Sequence, residues 1–212
     1  MYNQQLRLKE IIYELEETKQ LVLEQNRLLE RLSTHDDLTG LYNRRHLVTS
    51  LKQEFSLCQR HNNMLSLMIL DLDHFKDIND TFGHEFGDYV LKDFSNTLRT
   101  HVRRSDLVFR FGGEEFIILL PQTDEAGALS MAEKIRQVCE EKQIQKADCI
   151  TQLTVSIGVI SYQRDLHQSP GCMISSADKA LYQAKEMGRN RIIVFRKNDS
   201  TDKTAVRAGE RL

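Results

Sequence analysis

Between residues 6 and 32 apolar side chains return at three- and four-residue intervals: Leu8, Ile11, Leu15, Val22, Leu29 and Leu32. Thr18 and Gln25 fall on the same seam, and no Gly or Pro interrupts it. This spacing predicts a helix that pairs with a second helix, because a narrow apolar stripe leaves water only against a matching stripe. Polar residues on such a seam weaken the pair while fixing its register. Packing of an amphipathic helix on its own domain is the alternative, and the Glu, Gln, Lys and Arg on the other faces favour the coiled coil. Ser33-Thr34-His35-Asp36 then ends the seam with several cap-forming side chains.

Beyond that point helix-like and strand-like patterns alternate. Helical spacing covers about 44–61, 75–81, 85–102, 124–142 and 176–187, and strand-like runs cover 65–71, 107–111, 114–120, 153–161 and 192–195. Gly112-Gly113 joins two of the strands as a hairpin turn, since both glycines tolerate positive φ, and this places Arg110 across from Glu115. The order strand, helix, hairpin, helix, strand is the split βαβ or ferredoxin-like arrangement, an α+β fold with a central antiparallel sheet flanked by helices. Residues 1–35 therefore read as a coiled-coil helix, 36–196 as one folded domain, and 197–212 as a polar, mobile tail.

Composition narrows the partners. The 212 residues carry a net charge of -2, with 40% hydrophobic and 28% charged residues, which describes a soluble globular protein. That balance argues against a nucleic-acid polymer or a polybasic membrane contact, and leaves room for an anionic nucleotide held by a few local cations. Cys58, Cys139, Cys149 and Cys172 form no Cys-x-x-Cys pair and read as reduced thiols of a cytoplasmic protein. The N-terminus lacks a signal pattern, and the longest apolar stretches are too short to span a bilayer, so no membrane segment is expected.

Chemistry concentrates at strand ends. Asp71 and Asp73 close the very apolar strand 65–70, and Glu114 and Glu115 open the strand after the tight turn. Carboxylates from a strand end and an adjacent hairpin suit a hard-oxygen site for Mg²⁺ completed by phosphate oxygens. Successive strand residues face opposite sides, so the two glutamates need not share one role. Solvated loop carboxylates are the alternative.

The segments Asp36-Asp37-Leu38-Thr39-Gly40-Leu41-Tyr42-Asn43-Arg44-Arg45, Asp71-Leu72-Asp73-His74-Phe75-Lys76-Asp77-Ile78-Asn79-Asp80, Gly83-His84-Glu85-Phe86-Gly87-Asp88, Gly112-Gly113-Glu114-Glu115-Phe116 and Ala184-Lys185-Glu186-Met187-Gly188-Arg189-Asn190 follow one another in this chain. Together they resemble the GGDEF family of diguanylate cyclases over about residues 36–196, in the GGEEF variant, where Glu keeps the carboxylate. The resemblance implies a nucleotidyl-cyclase palm that condenses two GTP into cyclic di-GMP across a dimer, with two Mg²⁺ (or Mn²⁺) per half-site.

Carried over by position, it implies that Asp71, the Leu72 carbonyl, Glu114 and Glu115 hold the metal, and that Glu114 is the candidate proton acceptor. It places Asn79, His84 and Asp88 on guanine, whose N1-H and N2-H₂ a carboxylate accepts together. It places Lys76, Lys185 and Arg189 on phosphate. Lys185 and Arg189 are also four apart at a helix end, where cations suit the dipole and Gly188 suits the C′ position. Arg110 is either a cross-strand ion pair or a further phosphate contact.

Arg103 stands nine residues before the turn with Asp106 three further on, a spacing that resembles the family's product-inhibition site. The position from which the family often supplies a further arginine is Lys134 here, and lysine forms no bidentate fork. Three rival readings follow: an inactive module that binds GTP or cyclic di-GMP as a receptor, a mixed GMP-AMP synthase, and a purely structural coiled coil. The intact acidic turn opposes the first, Asp88 the second, and the clustered carboxylates the third.

Overall fold

A computed structural model describes residues 2–164 and 166–196. The tail expected at 197–212 and the seam side chains of Leu8, Ile11 and Leu29 lie outside the described residues. In chain order the elements are helix α1 (Tyr2–Thr34), helix α2 (Arg44–His61), strand β1 (Leu65–Leu72), helices α3 (Phe75–Phe82) and α4 (His84–His101), and strands β2 (Leu107–Gly112) and β3 (Glu115–Pro121). Helix α5 (Glu125–Glu141), strands β4 (Gln143–Lys146), β5 (Cys149–Gln152) and β6 (Val155–Ser161), helix α6 (Pro170–Glu186) and strand β7 (Ile192–Val194) complete them.

The main sheet runs β2-β3-β1-β6-β7, antiparallel throughout except where β7 lies parallel to β6. Its first four strands have the order the split βαβ pattern demands. All eight residues of β1 are buried, because helices cover both faces. Alternation sorts its side chains. Met68, Leu70 and Leu72 join Phe116, Ile118, Val155, Ile157 and the apolar residues of α3, α4 and α5. Leu65, Leu67 and Ile69 join Ile117, Leu119, Leu47, Phe55, Met173 and Leu181 on the face covered by α2 and α6. By the same alternation Asp71 and Glu115 belong to the α6 face. Gly158 of β6 lies there too. A Cβ on it would run into the carbonyl of Ala177 and the backbone of Leu181, so α6 rests directly on the strand.

The larger departures from the sequence reading are three. Helix α6 begins at Pro170, six residues before the expected start, because Ser169-Pro170 makes a good first turn that Gly171 and the serines after it conceal. β6 starts at Val155 rather than 153. The β4–β5 hairpin was not expected at all, since its short polar strands carry little alternation.

Along α1 the described seam residues Leu15, Val22 and Leu32 are 67%, 47% and 56% exposed, so they do not pack on the domain as the alternative reading required. The exit of α1 is tied down. Asn43 donates through its side chain to the Ser33 and His35 carbonyls and through its N–H to Thr34 O. Its side chain also caps α2 by accepting from His46 N. Tyr42 exchanges backbone bonds with Val108 and Arg110 at the open edge of β2. No helix among the described residues is long and apolar enough to cross a membrane.

Candidate active site

Asp71 stands directly opposite Glu115 in the β1–β3 register, with Ser156 on its other side. Its side chain is 9% exposed, and Lys185 Nζ, reaching from the last turn of α6, lies 2.8 Å from its carboxylate. Burial pushes the Asp71 carboxyl up to about 6; Lys185 opposes that shift, and the charges of Glu114 and Glu115 add to it. The charges of the two glutamates thus bear on an aspartate whose direct partner is the Lys185 ammonium. The donors are all hard oxygens: carboxylates of Asp71, Glu114 and Glu115, and the carbonyl of Leu72. Among the described residues no three His, Cys, Asp or Glu converge into a preformed cage. Mg²⁺ needs none, because it takes one or two carboxylates and fills its octahedron with water and substrate phosphates. The residues present therefore fit such an ion.

The turn differs from the expectation in a way that matters. Only Gly113 has positive φ (52°); Gly112 is the last residue of β2 and pairs with Glu115. Glu114 is therefore in the turn itself, not the first strand residue, and its carbonyl accepts from Leu72 N–H at 3.4 Å. The register slips between Arg110 and Gly112, so Arg110 faces Phe116 rather than Glu115. The extra residue, Phe111, makes a bulge, and bulges re-aim side chains. Arg110 then neither pairs with Glu115 nor stands free. Its Nε and Nη2 donate to Gly113 O at 3.1 and 2.9 Å, and its Nη1 meets the Asp36 carboxylate at 3.1 Å. Burial raises the Asp36 pKa, but the Thr39 hydroxyl and amide together with Arg110 outweigh it and leave the carboxyl below its usual range. The β2–β3 turn is thereby clamped to the segment that follows α1.

The three residues expected on guanine lie on α3 and α4, which meet at Gly83. His84 and Asp88 are exposed and Asn79 is half-buried. Gly87 explains how Asn79 fits: its missing Cβ is the space that the Asn79 side-chain oxygen occupies. Lys76 is exposed on α3.

Lys185 and Arg189 were expected on one helix face, but α6 ends at Glu186 and Arg189 lies beyond it. Gly188 N–H bonds Lys185 O and Arg189 N–H bonds Ala184 O, the paired bonds of a Schellman ending, with Gly188 at φ 109° in the C′ place proposed for it. Asp73, two residues from Asp71, has a different fate from its neighbour. It is buried, and its carboxylate accepts from the Ser156 and Thr154 hydroxyls at 2.7 and 2.8 Å and from Asn190 N–H at 3.0 Å. Those bonds engage both carboxylate oxygens. Asp73 is a structural tie between β1, β6 and the turn after α6, and its partners carry no signal that a one-dimensional reading detects.

At the second candidate site Asp106 is buried and accepts from Arg103 N–H at 2.8 Å and from the Ser105 hydroxyl at 3.3 Å, closing its own turn. The side chains of Arg103 and Lys134 are exposed. Asp106 thus bonds the Arg103 backbone rather than its guanidinium.

The family model described as "Diguanylate cyclase, GGDEF domain" matches residues 33–191. The probable diguanylate cyclase DgcC of Escherichia coli K12 is 38% identical over 175 residues, 82% of this chain and 47% of that protein. Diguanylate cyclase A of Treponema denticola is 36% identical over 193 residues, 90% of this chain and 52% of that protein. The chain thus spans about half the length of the curated relatives it matches. Among solved structures, the coiled coil and GGDEF domain of DgcB from Caulobacter crescentus in complex with c-di-GMP superposes with a TM-score of 0.81 at 26% identity, covering 88% of this chain and 98% of that one. The active GGEEF domain of a diguanylate cyclase from Vibrio cholerae gives 0.69 at 35% identity, covering 73% and 97%.

Proposed function

Because the chain belongs to the GGDEF family of diguanylate cyclases, we propose that it condenses two GTP into cyclic di-GMP with release of two pyrophosphates. The observation that carries this reading is the register pair Asp71–Glu115 on the α6 face, with Lys185 2.8 Å from Asp71. It concentrates negative oxygen donors and a mobile ammonium where a triphosphate and its counter-ions would meet.

In each half-reaction a 3′-hydroxyl attacks the α-phosphate of the other nucleotide, the α–β phosphoanhydride bond breaks, and pyrophosphate leaves with the bond electrons. The hydroxyl proton passes to a base, the role assigned to the Glu114 carboxylate. Asp71, the Leu72 carbonyl, Glu114 and Glu115 would hold Mg²⁺ or Mn²⁺, which when bound neutralises developing charge and lowers the hydroxyl's pKa. Lys185 then exchanges Asp71 for phosphate, joined by Arg189 and Lys76. Asn79, His84 and Asp88 select guanine; adenine offers an acceptor at N1, which the Asp88 carboxylate repels.

One domain binds one GTP, so two copies face each other, and the exposed α1 seam is the means of pairing them. Residues 36–196 form the catalytic unit. Arg103, Asp106 and Lys134 form a product site whose grip is weakened by lysine and by the bonds Asp106 already makes to its own turn.

The test is incubation with GTP and Mg²⁺, following pyrophosphate and cyclic dinucleotide. Glu114→Ala is expected to lower turnover by about 100-fold or more, and Asp88→Ala to admit other purines. No product from the unmodified chain, or full product from Glu114→Ala, overturns the reading.

A further inference from the structure

We propose that Asn190 is a positioning residue for the nucleotide's triphosphate, fixing the direction of Arg189 by tying the turn after α6 to both β1 and α5. The proposal rests on the reading above, in which Arg189 meets phosphate.

The backbone is the first indication. Gly188, Arg189 and Asn190 follow one another with φ of 109°, 61° and 46°. Asparagine adopts the left-handed region readily, but arginine does so at a steric cost, and such backbone persists only where its surroundings impose it. The Schellman bonds from Gly188 and Arg189 already satisfy the end of α6. Nothing about ending a helix requires more.

Asn190 nevertheless anchors through its N–H and both ends of its side-chain amide. Its N–H donates to Asp73 Oδ2 at 3.0 Å, its Nδ2 donates to Glu140 Oε1 at 2.7 Å, and its Oδ1 accepts from Arg136 Nη1 at 3.0 Å. The α5 side of this clamp is itself braced. Arg136 makes a two-pronged contact with Glu133 at 3.0 and 2.8 Å and a further bond to Glu140 at 2.8 Å. On the other side Asp73 is buried and held by Thr154 and Ser156. Arg189 therefore sits between two fixed points: its own N–H is bonded to Ala184 O, and the next residue is bonded to three side chains, one at the end of β1 and two on α5. Arg191 Nε donates to its carbonyl at 3.0 Å as well. The side chain is left exposed while its backbone is pinned. That is the arrangement expected when a cation must meet a ligand from a set direction without first losing backbone freedom.

The experiment is a double-mutant cycle on the full chain. Affinity for 3′-deoxy-GTP, which lacks the attacking hydroxyl, is measured by calorimetry in the presence of Mg²⁺. Asn190→Ala is expected to weaken binding about tenfold in the parent chain, and by less than about twofold in an Arg189→Ala background. Asn190→Gly, which adopts positive φ freely yet lacks both amide contacts, is expected to show the same loss, and it carries the cycle should the Ala variant fail to fold. Equal losses with and without Arg189 would mean that Asn190 acts independently of it, and would overturn the proposal. So would parental affinity in Asn190→Gly. A parent chain that does not bind 3′-deoxy-GTP at all sinks the cyclase reading instead, so the two failures are distinguishable.

Discussion

Two aspartates only two positions apart illustrate how burial decides a residue's work. Asp73 has its charge dispersed over three donors, whereas Asp71 has one ammonium and two repelling carboxylates, which with burial carry its pKa up to about 6. A carboxyl whose folded pKa lies above its unfolded value penalises the fold when ionised. The penalty is absent below about pH 4, grows between about 4 and 6, and is complete above that. Metal-free protein should therefore lose stability as pH rises through this window. Asp71→Asn is expected to raise the urea midpoint at about pH 7.5 and to change it little at about pH 4, while abolishing turnover. Two pK units bound the gain at about 3 kcal/mol, and the loss of the Lys185 contact reduces it. Equal destabilisation at both pH values would refute the account.

Gly87 offers a second test at this scale. Its added Cβ would collide with the Asn79 side-chain oxygen and lie 3.3 Å from the Phe75 ring. If Asn79 meets guanine as proposed above, Gly87→Ala should raise KM for GTP about tenfold by displacing it, with kcat changing less. An unchanged KM would separate Asn79 from the nucleotide.

Among the elements, α6 is the one whose placement the site depends on most. It lies against β6 because Gly158 has no side chain, and that close approach is what lets Lys185 reach Asp71. Since the atoms in the way are backbone rather than flexible side chains, Gly158→Ala should cost about 3 kcal/mol. It should also part Lys185 from Asp71, so that activity falls even under conditions where the variant remains folded. Circular dichroism melts and steady-state turnover at low temperature would check both. A variant as stable as its parent would show that α6 shifts freely. At the same scale the β2–β3 turn depends on its bulge: the displaced register frees Arg110 from Glu115 and turns it toward Gly113 and Asp36.

For the whole molecule, α1 and the β2–β3 turn are linked through a short set of bonds. Asn43 holds the end of α1, Tyr42 docks on β2, and Asp36 grips Arg110, which in turn holds Gly113 O. Leu15, Val22 and Leu32 are exposed on the helix, and their stripe is the one proposed above to pair with a second copy. Removing the chain before about Ser33 should cut turnover steeply at nanomolar protein and much less at high protein concentration, because pairing then depends on mass action. Turnover per domain measured across protein concentration checks this, and unchanged activity at nanomolar protein would deny α1 its role.

Apart from the β4–β5 hairpin, the order of helices and strands and the gathering of carboxylates at the end of β1 and the β2–β3 turn were legible in the chain, because hydrophobic period follows secondary structure and the acidic segments lie intact between apolar runs. The strand order follows from that alternation as well. What tertiary structure alone decided is that Asp71 pairs with Lys185 while Asp73 ties strands together, that Glu114 lies in the β2–β3 turn, and that Arg136 and Asn190 hold the turn after α6. Asp73 and Asn190 are 117 positions apart in sequence. A short-range pattern records which face a side chain takes, but hydrogen-bond partners brought together only by packing leave no local trace.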